Sequence, residues 1–153
     1  MAFALREYKE PDFGEQCFLS APDAAMAPAP ADSVAPTGFH AMSIFPEYFK
    51  VGGKWLLAEE SRMDCVPVYD GRKIIVKEPR RLRKGEPVIL GRTEDGREGI
   101  YVHPNGFSGE RELKDVFAFR TGRSRETAFS RDYDELYDIL RYDRENGKIV
   151  WVG

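Results

Sequence analysis

The stretch Thr121-Gly122-Arg123-Ser124-Arg125-Glu126-Thr127 gathers the groups best suited to hold an anion: a glycine, hydroxyls and two guanidinium groups. Guanidinium forks grip carboxylate or phosphate through paired N–H donors, and turns rich in glycine offer backbone N–H groups to the same anions. Arg123, Ser124, Arg125 and Glu126 are therefore the first candidate ligand-binding residues. The competing reading is an exposed connector in which Glu126 pairs with a nearby arginine. His40, beside Phe39, is a further candidate ligand or acid–base group, as is His103. Imidazole changes charge near neutrality, but general-base work also demands a positioned partner. Sequence spacing places no carboxylate beside either histidine.

Cys65 invites comparison with cysteine nucleophiles, which work with a histidine and carboxylates. Its neighbour Asp64 would point to the opposite face of a strand, so a buried structural thiol is the expectation. Cys17 lies far from Cys65 without a metal-type spacing, and the chain holds two histidines, so no metal site is expected. The run Arg80-Arg81-Leu82-Arg83-Lys84 could neutralise phosphates. Between two strand patterns, a solvated loop or a surface meeting an acidic partner is the more ordinary outcome. Nucleic-acid binding through Arg80 to Lys84 stands as a minor alternative, and no set of catalytic residues emerges.

The elements that must position these groups are mostly strands. Residues 1–18 mix apolar and charged positions and suit an edge strand or a short helix. Alanine and proline then dominate, with Pro22, Pro28, Pro30 and Pro36, so residues 1–36 read as an N-terminal segment and an extended linker. Residues 37–107 read as a β-rich domain. Gly52-Gly53 turns one hairpin between Tyr48–Val51 and Lys54–Leu57, and Asp70-Gly71 turns a second between Cys65–Tyr69 and Lys73–Lys77. Pro67 marks its strand as an edge strand or a bulged one. Pro87–Gly91 and Gly99–His103 continue the pattern of short strands and glycine turns. Residues 108–153 supply a loop, a helix and a strand. Ser130 can cap the helix, Tyr133, Leu136, Tyr137 and Leu140 share one face at helical spacing, and Gly147 suits a left-handed stop. Lys148–Val152 reads as a buried strand. The expected class is α+β: a small antiparallel β-barrel-like domain with a C-terminal helix and strand.

At 153 residues, with 42% hydrophobic and 32% charged positions, one ordinary domain with a real core is feasible. A net charge of −3 gives no overall field that selects nucleic acid or membrane. No apolar run is long enough to span a bilayer and the first residues lack a signal-peptide core, so a cytoplasmic protein with reduced thiols is expected.

Two blocks carry a resemblance. The first is Val34-Ala35-Pro36-Thr37-Gly38-Phe39-His40, continued by Pro46, Gly53-Lys54-Trp55, Met63-Asp64-Cys65 and the strands to Val102. The second is Phe117-Ala118-Phe119, Ser124-Arg125-Glu126, the helix, and Gly147-Lys148-Ile149-Val150-Trp151-Val152-Gly153. In this order they resemble the LOR/SDH conserved region. It is named after lysine-ketoglutarate reductase/saccharopine dehydrogenases and also occurs in proteins of arginine and ornithine breakdown. In larger relatives a further domain precedes this region and a nucleotide-binding domain follows it. The resemblance therefore implies an accessory or ligand-binding module for arginine, ornithine or lysine metabolism. Such a module would not be catalytic alone and would work with a protein partner or as a homo-oligomer. The chain reaches Gly153 without the glycine-rich loop and helix that grip a dinucleotide, so NAD is expected only together with a partner. The alternative is one subunit of a split, NAD-dependent enzyme of the ornithine-cyclodeaminase type. Where the family carries a polar run before its shared proline, this chain has Ile44-Phe45-Pro46, so no polar ligand contact is expected there.

Overall fold

In a computed structural model, which describes residues 7–107 and 130–152, the strands form two sheets rather than one closed barrel. One unit spans residues 8–107 and the other includes the C-terminal helix.

The first unit begins with the short helix α1 (Gln16–Ser20), followed by strands β1 (Met26–Pro28), β2 (Glu47–Val51), β3 (Lys54–Leu57), β4 (Val66–Tyr69), β5 (Ile74–Lys77), β6 (Pro87–Ile89) and β7 (Ile100–Val102). Four strands assemble in the order β1-β6-β4-β5 and three in the order β3-β2-β7, every paired neighbour antiparallel. Both expected hairpins form. Val51 faces Lys54 across Gly52-Gly53, whose φ values of 58° and 75° suit a tight turn matching the strand twist. In the second, Tyr69 faces Ile74, and the Asp70 carboxylate accepts the N–H groups of Arg72 and Lys73. The barrel expectation is corrected to two sheets that share a core. Phe49 and Ile100 from one sheet meet Ile74 and Ile89 from the other, joined by Ala24, Met42, Ala58 and Cys65. A single parallel bridge, Ala58 to Ile74, touches the sheets together at one corner.

Two expectations fail in this unit. The alanine–proline stretch is not a linker: Met26, Ala27 and Pro28 pair with Ile89, Val88 and Pro87, and Ala24 and Ala29 are buried. Their small side chains admit close backbone packing, and the two prolines face one another at a non-hydrogen-bonded position, with Ala29 N–H bonding the Glu86 carbonyl just beyond. Pro67 does not mark an edge strand either, since β4 lies between β6 and β5. The bond from Asp70 N–H to the Lys73 carbonyl fixes the alternation, which turns the Pro67 nitrogen away from β5 and toward β6. There β6 pairs with β4 at Val68–Val88 alone, and the Ile89 carbonyl accepts the His40 N–H at 2.9 Å instead. Proline in a central strand thus leaves an acceptor for the segment that carries His40. Residues 1–18, within their described part, lead into the short helix, one of the two forms expected of them.

The faces of β2 alternate as a strand requires. Phe49 enters the core, while Tyr48 and Lys50 face an aromatic layer built from the N-terminal segment. Phe13 stacks on Trp55 at 5.1 Å and meets Tyr48 edge-on, and Phe18 packs edge-on against Trp55 and Tyr101. Tyr8 and Tyr48 share a hydrogen bond of 2.7 Å between their hydroxyls. Burial, and then that bond, push the Tyr48 phenol well above its usual range.

In the second unit, helix α2 spans Ser130–Asn146, as its apolar spacing predicts. Its end differs in detail. Gly147 is not left-handed; its N–H bonds the Asp143 carbonyl at 2.8 Å, and the Asn146 side chain donates to the Tyr142 carbonyl. On its apolar face Tyr133, Leu136 and Tyr137 are about half exposed and Leu140 is partly buried. The C-terminal strand is also corrected. Residues 148–152 pair with no strand among the described residues, and Trp151 is 82% exposed. An apolar, β-branched run lacks strand character without a neighbouring ladder.

Candidate functional site

His40 approaches β2 on a segment held by three backbone features. Gly38, at φ 79°, turns the chain, Phe39 bridges to Leu90, and His40 N–H bonds the Ile89 carbonyl. The imidazole then lies over the start of β2, where Glu47 and Phe49 share a face. His40 Nε2 is 2.6 Å from Glu47 Oε2, and the Phe49 ring meets the imidazole edge-on at 5.5 Å. The second carboxylate oxygen, Oε1, accepts the Ser43 N–H. His40 is 4% exposed and Glu47 fully buried.

This pair overturns the expectation that neither histidine has a carboxylate partner. A carboxylate on one ring nitrogen orients the imidazole, which is the arrangement used by acid–base and metal sites. Here both members are buried, and the dyad clasps the His40 segment to β2. Glu47 was missed because it stands seven residues from His40, across an irregular turn that no helical or strand period spans. One signal could have revealed it. Glu47 has the same strand parity as the core residue Phe49, and a charge at core parity needs a partner.

The remaining candidates separate. His103 Nε2 donates to the Lys9 carbonyl at 2.9 Å, pinning the N-terminal segment. Cys65 is buried in the core, as expected of a structural thiol, and Asp64 beside it is exposed. Cys17 is an exposed free thiol. Arg123, Ser124, Arg125 and Glu126 lie outside the described residues. No cluster of three or more potential metal ligands occurs among the described residues. Nor is any described helix long and apolar enough to cross a membrane.

The basic run does take part in a cleft. Pro79–Arg81 forms a single turn of 3-10 helix, closed by Arg81 N–H to the Glu78 carbonyl and Leu82 N–H to the Pro79 carbonyl. Leu82, fully buried, anchors that turn, and Ser33 binds the carbonyls of Leu82 and Arg80 from the other side. Arg62, Lys77, Arg80, Arg81 and Arg83 thereby surround a cleft of about 480 Å³, lined also by Ile75 and Val76 and holding the single carboxylate Glu78. Arg62 donates to Glu78 at 2.7 Å and Arg80 binds the other oxygen. Together, Arg62 first, they hold the Glu78 carboxyl below its usual range. A second open cleft of about 480 Å³ lies among Phe45, Arg92, Tyr101 and Pro104, with mixed charges from Glu94, Asp95 and Arg97.

No family model matches the chain. It is 31% identical over 134 residues to an ornithine cyclodeaminase of Methanopyrus kandleri, an alignment that spans 83% of this chain and 30% of that protein. Among solved structures, a conserved protein of the LOR/SDH type from Methanococcus maripaludis S2 superposes with a TM-score of 0.59 and 27% identity, over 81% of this chain and 37% of that one. The ternary complex of AgrE with ornithine and NAD+ gives a TM-score of 0.48 at 30% identity, over 60% of this chain and 13% of that one. The chain thus spans less than two fifths of each of these relatives. Within those limits it is a structural match to a LOR/SDH protein and a distant, partial homologue of archaeal ornithine cyclodeaminases.

Proposed function

We propose that this chain is an accessory or ligand-binding module of the LOR/SDH type, serving arginine, ornithine or lysine metabolism together with a protein partner or a second copy of itself, and not catalytic alone. The observation that carries the reading is the shape of the match: most of this chain corresponds to under a third of an ornithine cyclodeaminase. A region of that size supplies part of an enzyme's architecture. The His40–Glu47 pair supports the reading further, since the described histidine–carboxylate dyad is buried. Arg123, Ser124, Arg125 and Glu126 remain the proposed anion grip for an amino-acid carboxylate, and His40, paired with Glu47, ranks behind them. The test is a thermal-shift screen of the purified chain with L-ornithine, L-arginine, L-lysine and NAD+, beside a turnover assay. A stabilising amino acid without turnover is the expected result, because a ligand that binds only the folded state raises its melting temperature. Conversion of ornithine or arginine by the chain alone overturns the proposal.

The match to an ornithine cyclodeaminase in particular favours one second reading: a subunit of a split NAD-dependent enzyme whose nucleotide-binding portion is a separate polypeptide. In that case NAD is held by the partner. Mixing the two polypeptides should yield NAD-dependent ornithine conversion that neither shows alone, and an inert mixture would rule this reading out.

A further inference from the structure

We propose that the cleft between Arg62, β5 and the Pro79–Arg81 turn binds a diphosphate group, free or carried on a nucleotide. Five cationic side chains line it against one carboxylate. That carboxylate, Glu78, already bridges Arg62 and Arg80, which shows that the cleft walls bring two guanidinium groups onto a single anionic group. Carboxylates outside the lining take two more of the cations: Glu86 holds Lys77, and Asp32 reaches Arg83 at a loose 3.4 Å between two well-exposed side chains. Arg81 forms no close ion pair among the described residues, and its charge lies near enough to Glu78 to help hold that carboxyl low.

The charge excess therefore gathers at Arg81 and Arg83, which flank Leu82, the buried residue that closes the Pro79–Arg81 turn. A multiply charged oxyanion answers such an excess better than a single carboxylate, and guanidinium forks match its geometry. The volume exceeds what one phosphate fills, which leaves room for the second phosphate of a diphosphate. A basic amino acid is the wrong ligand here, because its own cation is repelled. The site is thus separate from the amino-acid reading above, and either can fail without the other.

The full chain is titrated calorimetrically at low ionic strength with pyrophosphate, ADP, orthophosphate and a short single-stranded oligonucleotide. The Arg81→Glu/Arg83→Glu double variant and the Arg92→Glu control are titrated alongside. Saturable binding of pyrophosphate or ADP, tighter than orthophosphate, is expected, weakening at least about tenfold in the double variant and unchanged in the control. ADP binding tighter than pyrophosphate marks a nucleotide as the source, and equal affinities mark the free anion. Absence of pyrophosphate and ADP binding at millimolar concentration overturns the proposal, as does equal binding by the double variant or binding of the oligonucleotide alone.

Discussion

His40 Nε2 and Glu47 Oε2 stand 2.6 Å apart in the interior, and the two side chains fasten the segment that crosses Ile89 to the first residue of β2. Removing one member of a buried pair leaves the other without its partner, a loss of about 3 kcal/mol. Glu47→Ala and His40→Ala should each lower unfolding stability by that amount in urea. The double variant His40→Phe/Glu47→Leu should recover much of it, since an apolar pair of similar volume carries no desolvation cost. A double variant no more stable than either single one would show that the pair stabilises in its own right.

Lys50 is buried, yet its ammonium donates to three carbonyls: Phe18 at 3.0 Å, Leu19 at 2.9 Å and Ala21 at 2.7 Å. All three donors are therefore used, and they hold the end of α1 against β2, where a cation also suits the helix C-terminus. Lys50→Met keeps the stem and removes the donors. It should cost about 2 kcal/mol and make the segment around residues 7–20 the first to be cleaved in limited proteolysis. An unaltered cleavage pattern would mean that the aromatic layer alone holds this segment.

What the sequence discloses is local. Gly52-Gly53 and Asp70-Gly71 are legible because a tight turn needs those residue types whatever surrounds it. The 3.6-residue spacing around Leu136 likewise announces α2. The burial of Ala24 and Ala29 is not legible, because it depends on residues far along the chain: Ala24 N–H bonds the Lys50 carbonyl and Ala29 N–H the Glu86 carbonyl. Pro67 misleads for a related reason: the usual edge-strand inference assumes that no other segment will use the neighbouring acceptor, and His40 does. The apolar run after Gly147 misleads in the opposite sense, since propensity supplies no partner strand. The basic cleft is half legible. Arg80 to Lys84 is a visible run, but Arg62 and Lys77 join it only through the fold.

Gly99 records how closely the alanine–proline stretch packs. At φ 72°, a Cβ there would sit 2.5 Å from the Ala24 nitrogen and 2.6 Å from the Pro22 carbonyl oxygen. Both atoms are backbone and neither can rotate away. Gly99→Ala should cost about 3 kcal/mol or more. Gly52→Ala, at φ 58° with nothing within 4 Å, should cost about 1 kcal/mol from backbone strain alone. Comparing the two urea midpoints isolates the packing contribution. Equal losses would show that residues 22–24 yield, as a linker would.

Acid should weaken the fold through carboxylates that terminate turns. Backbone N–H groups of Lys73 and Arg72 hold the Asp70 carboxyl below its ordinary value of 3.8, and those of Arg92 and Thr93 hold Glu98 below 4.5. A carboxyl with a depressed folded pKa contributes stability that is complete above its unfolded pKa and is lost as pH falls through the folded one. Unfolding midpoints should therefore be insensitive to these two groups above about pH 5.5 and should decline below about pH 4.5. Asp70→Asn and Glu98→Gln should each lower stability at neutral pH and flatten the decline between about pH 4.5 and 2.5, because the proton no longer competes with the turn's N–H donors. A decline of unchanged steepness in the double variant would assign acid sensitivity to other carboxylates, with Glu78 between Arg62 and Arg80 the next to replace.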